Sequence, residues 1–153
     1  MLLNHWPVEG LAAGIFFLAW GLFRDSVPGR RAALVWLLLV GLLTWLTFLF
    51  GEKGFDRVSA MSGTDAQSWL DLHAARAERV EILFVGMGLT VLAALVSIWK
   101  RPRWEKPLSW AVLVISVVAC LGGGWIAQAG GPIRHSEFRE GPPAQITPSP
   151  DGR

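Results

Sequence analysis

The sequence is poor in the residues that usually carry chemistry. It has one cysteine and three histidines among 153 residues. A lone cysteine forms no intramolecular disulfide, and Cys120, set among Val, Ala and Leu, reads as a small apolar side chain. No HExxH, CxxC or HxH spacing supplies a compact metal motif, and no GxSxG, P-loop or GxGxxG supplies a nucleophile or phosphate-binding turn. Charge is scarce as well. Asp, Glu, Lys and Arg make up 17% of the chain, and residues 32–50, 82–99 and 108–129 contain none of them. A fourth block, residues 6–23, contains only Glu9.

What is present is apolar. Hydrophobic residues reach 52%, there are nine tryptophans, and the mean hydropathy is +0.42. That balance excludes an ordinary soluble domain. Each apolar block has the length that a helix needs to cross a hydrocarbon core of roughly 30 Å. Lipid offers the backbone no hydrogen bonds, so the blocks must be helical. The sequence therefore predicts an all-α integral membrane four-helix bundle, with spans at about 6–23, 32–50, 80–99 and 108–129. Residues 1–139 form one membrane domain, and the Pro-rich tail 140–153 is expected to be disordered. The leader before the first block has no basic n-region or small-x-small cleavage site, so this block reads as a span rather than a signal peptide.

Charge sets the expected orientation. The two short turns, 24–31 and 100–107, hold seven Lys/Arg against Asp25 and Glu105. Dense Lys/Arg in short loops marks the cytoplasmic side. Both termini and the long connection from 51 to about 78 then face outward, across a bacterial inner membrane, to the periplasm. Trp6, Trp20, Trp36, Trp99, Trp104 and Trp110 fall near the expected interfaces. The basic turns are explained by topology rather than by nucleic acid. No ionisable residue lies deep in a span, which argues against an ion path.

All three histidines fall on the expected outer side. His5 precedes span one, where Asn4 can cap, Pro7 suits the first turn, and Glu9 lies four residues on. Gly10 and Gly14 form a GxxxG that admits a close neighbouring helix. His73 follows a Thr64/Gln67 capping box, on a third helix expected to extend beyond the membrane. Leu70, His73, Ala77, Val80 and Phe84 trace one face of it, with His73 roughly 10 Å above Val80. His135 follows span four, which Gly130–Gly131–Pro132 are expected to stop, and lies between Arg134 and Glu137. With Glu9 and Glu52, these residues form an imidazole, carboxylate and arginine set at one end of the bundle. Imidazole with carboxylate suits copper, zinc or non-haem iron, and opposed imidazoles with an arginine for the propionates suit a b-type haem.

The order NHWP, GE, a histidine opening the third helix among Ala and Glu, and GGPIRHSEFR resembles a group of small bacterial four-span membrane proteins. Those read NHLP, TGE, a HEEA-like segment and GGQIRHPEIR. More distantly it resembles the membrane family known as domain of unknown function 2231. The resemblance covers nearly the whole chain. It marks Asn4, His5, Pro7, Gly51, Glu52, His73, Gly130, Gly131, Ile133, Arg134, His135 and Glu137, and departs at Trp6, Phe50 and Ser136. The larger family is sometimes fused to Rieske iron–sulfur domains, which implies redox company.

The leading expectation is thus a membrane electron-transfer or accessory subunit rather than a stand-alone enzyme. It would carry haem b on two of His5, His73 and His135, with Arg134 against a propionate, and its partners would be the bilayer and quinone or a periplasmic redox protein. One alternative is a copper or zinc site on His5, His73 and His135 supported by Glu9, Glu52 and Glu137. Another is a cofactor-free polar lid. The GxxxG and the Gly122–Gly124 run could serve packing within the chain or a homo- or hetero-oligomer.

Overall fold

The computed structural model describes residues 6–61, 64–135 and 138–139, with the side chains of Trp6, Thr64, Asp65 and Arg134 excepted. His5, Glu137 and the tail expected to be disordered lie outside the described residues. Four α-helices follow one another: α1 (Trp6–Phe23), α2 (Val27–Met61), α3 (Thr64–Lys100) and α4 (Glu105–Arg134). No strand occurs among the described residues. Helices α2, α3 and α4 are each long and apolar enough to cross a membrane, and α1 is a shorter apolar helix of 18 residues.

The helices form a closed ring of contacts, with α1 against α2 and α4, α2 against α3, and the widest seam between α3 and α4. Leu11, Leu18, Leu34, Leu37, Met87, Val91 and Val112 fill the centre. Phe16, Leu42, Leu89, Val114 and Leu121 instead lie exposed on the outside. A soluble monomer does not leave that much apolar surface in water, whereas hydrocarbon accepts it. Two hydroxyls within the apolar blocks turn back onto their own helix: Thr44 Oγ1 donates to the Val40 carbonyl at 2.8 Å and Thr90 Oγ1 to Gly86 at 2.7 Å. Such back-bonding satisfies a donor where no water is at hand.

Small residues set the seams. A Cβ on Gly14 would collide with the Leu37 side chain, and one on Gly122 would lie 2.6 Å from Val80 Cγ1. The expected close approach at the GxxxG is therefore made by α2. Trp36 belongs to that contact: it is half-buried and its indole N–H donates to the Gly10 carbonyl at 2.8 Å.

Two expectations are corrected. The connection expected after residue 50 is helical, because α2 runs on without a break to Met61. Residues 51–61 lack a proline, and most of their side chains are exposed. Ser59 Oγ donates to Gln67 Oε1 at 2.9 Å, and Gln67 Nε2 donates to Asp71 at 3.1 Å, so Gln67 ties the ends of α2 and α3 together. Likewise α4 passes through Gly130, Gly131 and Pro132 and ends at Arg134. Arg139 explains the extra turn: its Nε donates to the Pro132 carbonyl at 2.8 Å, satisfying an acceptor that a helix end leaves unpaired.

Candidate functional site

The histidine end of the bundle is built on the α3–α4 seam. Leu70, Val80 and Phe84 are buried, and His73 and Ala77 on the same face are half-buried. This stripe places the His73 ring against α4, where its Nδ1 lies 3.1 Å from the Ile126 carbonyl oxygen. A carbonyl only accepts, so Nδ1 carries the proton and the lone pair is on Nε2. Gly130 makes room for the ring, since a Cβ there would stand 3.2 Å from Nδ1. His73 lies seven residues before the apolar stretch that begins at Val80. Burial pushes its pKa below the ordinary 6.5; the Ile126 hydrogen bond opposes that shift and the nearby Arg76 charge reinforces it. The imidazole is therefore neutral near pH 7.

Arg76, one turn further along α3, holds the same seam. Its Nη1 donates to the Trp125 carbonyl at 2.6 Å and to Gln128 Oε1 at 3.3 Å, and its guanidinium lies 4.6 Å from the centre of the Trp125 ring. Sequence analysis did not single out Arg76. Its spacing of three from His73 on an inward face was the available signal.

The other expected site residues are dispersed or not described. Glu9 is exposed in the first turn of α1, and Glu52 is exposed on α2. His135 ends α4: it is exposed, its backbone N–H donates to the Gly131 carbonyl at 3.1 Å, and its ring packs on Phe138 with centroids 5.3 Å apart. His5, Glu137 and the Arg134 side chain lie outside the described residues. Among the described residues no three His, Cys, Asp or Glu side chains gather into a metal-holding group. The donor chemistry of His73 fits an axial ligand to haem or a ligand to a metal ion, because ligating histidines characteristically donate their second N–H to a carbonyl or carboxylate.

The opposite end holds a charge cluster that the sequence did not disclose. Arg30 and Glu105 are both 5% exposed. Arg30 Nη2 lies 3.7 Å from Glu105 Oε1, Arg31 Nη2 is 3.0 Å from Glu105 Oε2, and Arg30 Nη1 is 3.1 Å from Asp25 Oδ1. Lys106 Nζ reaches the same Asp25 oxygen at 2.9 Å. The Lys106 ammonium, by hydrogen bond and by charge, holds the Asp25 carboxyl below its ordinary value, with help from Arg30. Asp25 takes a left-handed φ of 49° as α1 ends, with Ser26 N–H donating back to Gly21 at 2.9 Å. The turn is tight: a Cβ on Gly21 would lie 2.8 Å from the Arg30 backbone nitrogen. Charges that sequence reading used only to orient the chain thus also join α1, α2 and α4. No protein-family model, no curated protein and no solved structure matches this chain.

Proposed function

We propose that this protein is a small electron-transfer or accessory subunit of a bacterial inner membrane. It would cross the bilayer four times, with both termini on the periplasmic side. In this reading His73, with His5 or His135, would hold a b-type haem at the bundle's histidine end. Arg134, next to His135 in sequence, would pair a propionate. One observation carries the reading: the Ile126 carbonyl keeps the proton on Nδ1 of a half-buried, neutral imidazole and so leaves Nε2 as a donor to iron. Bound haem would supply one-electron transfer. The chain's own part is to orient the ligand ring, through Ile126 and the space above Gly130, and to fix the seam behind it through Arg76 and Trp125. The resemblance to a family sometimes joined to Rieske domains accords with redox company, quinone or a periplasmic carrier being the fitting partner.

A second reading has its own observation. Arg76 on Trp125 and Gln128, with His73 on Ile126, is a sufficient clamp between α3 and α4 without any cofactor.

Absorption spectroscopy of the detergent-purified protein, oxidised and then dithionite-reduced, separates the two when metal analysis is run on the same sample. The haem reading expects a Soret band that sharpens with α and β bands on reduction, and its loss in His73→Gln. A colourless protein with stoichiometric copper or zinc would move the assignment to a three-histidine metal site. A colourless, metal-free protein from haem-supplied cells would leave the clamp as the function of these residues.

A further inference from the structure

The basic end carries more positive charge than its acids neutralise, and the surplus is localised. Asp25 and Glu105 engage Arg30, Arg31 and Lys106, and Arg24 lies over the Trp20 ring at 5.7 Å. The remaining cations of the two turns are Lys100, Arg101 and Arg103. All three are exposed, and among the described residues none has a carboxylate partner. Lys100 and Arg101 stand at the rim of a groove of about 350 Å³ between the end of α3 and the start of α4. Its wall is apolar, built by Ala93, Val96 and Leu108, with the Trp104 indole beside the two cations. Ser97, also in the wall, donates its hydroxyl to the Ala94 carbonyl at 2.6 Å and so offers the groove no donor.

We infer that this groove is a binding site for one anionic phospholipid, such as phosphatidylglycerol. The phosphate would sit between Lys100 and Arg101, and an acyl chain would lie along Val96 and Leu108. Two arguments select this occupant. The rim carries two unneutralised cations and no acid, which complements a phosphodiester. The apolar wall runs back from that rim along α3 to Ala93, roughly 10 Å of helix, whereas a soluble phosphate would use only the rim. Basic clefts between helices at the cytoplasmic face suit anionic headgroups for the same reason, and indoles such as Trp104 favour the headgroup level. The inference rests on the membrane reading and is independent of the haem.

Native mass spectrometry of the full-length protein, released from detergent after titration with phosphatidylglycerol or phosphatidylcholine, tests it. The expected result is one retained phosphatidylglycerol, held at least tenfold more tightly than phosphatidylcholine. The double substitution Lys100→Gln/Arg101→Gln should abolish that preference. Val96→Trp, which fills the wall without touching charge, should weaken retention. Lys106→Gln, at the same end but engaged with Asp25, should leave it unchanged. Equal retention of the two lipids, equal loss in Lys106→Gln, or competition by glycerol 3-phosphate at the same concentration would each overturn the site. Failure of the membrane reading itself would be seen separately, as a protein that purifies as a monomer without detergent.

Discussion

Glu105→Gln is the sharpest test of how the bundle is held at its basic end. The substitution keeps volume and one acceptor but removes the charge beside Arg30, whose side chain is 6% exposed. Breaking a buried ion pair from one side typically costs about 3–5 kcal/mol, because the surviving charge is left desolvated. Two features pull the figure to the low end. Asp25 stays 3.1 Å from Arg30, although it is 70% exposed and well screened, and the glutamine can still accept from Arg31. The Arg31 interaction adds little, since its side chain is 45% exposed and such pairs contribute no more than about 1 kcal/mol. The expected loss is therefore about 3 kcal/mol. It can be read from reversible unfolding in mixed detergent micelles, followed through the tryptophan fluorescence. The companion variant Arg30→Met/Glu105→Leu removes both charges and should fall within about 1 kcal/mol of the original protein, because apolar replacement of a buried pair is often neutral. A Glu105→Gln loss below about 1 kcal/mol, or a double variant as unstable as the single one, would refute the idea that burial makes this pair matter.

His73 and Ser116 give two further tests. The folded protein holds the His73 pKa below the ordinary 6.5, so the unfolded chain binds the proton more readily. Stability should then be full above about pH 6.5 and fall as the pH drops below it; His73→Gln should flatten that slope, and an unchanged slope would exclude the assignment. Ser116 is fully buried and its hydroxyl has no hydrogen-bond partner among the described residues. Ser116→Ala should raise stability by about 1 kcal/mol in the same unfolding assay, and a loss of that size would show the hydroxyl to be satisfied in the protein.

The parts of the fold that sequence made legible are those that long uncharged apolar runs dictate. An uncharged run such as 108–129 has no structured alternative to a helix in hydrocarbon, and the spacing of Leu70, His73, Val80 and Phe84 was enough to put His73 on one apolar face of its helix. Where the runs give way to charged residues, that constraint lapses. Glu52, Lys53, Asp56 and Arg57 look alike as loop or as exposed helix, so the continuation of α2 to Met61 had no local signature. The end of α4 was missed because Arg139, seven residues beyond Pro132, supplies its cap. Long-range pairing was hidden more completely. Arg31 and Glu105 are 74 residues apart, and His73 and Ile126 are 53 apart. Nothing in their neighbourhoods names a partner: a backbone carbonyl has no sequence signature at all, and Glu105 sits in a turn whose lysines and arginines are sufficient reason for an acid.

The unequal helix lengths have a consequence for approach. With 35 and 37 residues, α2 and α3 are roughly 25 Å longer than the 18-residue α1, so the four helices cannot end level at both faces. His73 is not at the tip of the resulting overhang: nine residues of α3, roughly 13 Å of helix, stand beyond it, joined to α2 through Ser59 and Gln67. The imidazole thus lies at the foot of a helical wall. Those nine residues, tied to α2 at Ser59 and Gln67, stand as a fixed side wall to the ring rather than as a free helix end.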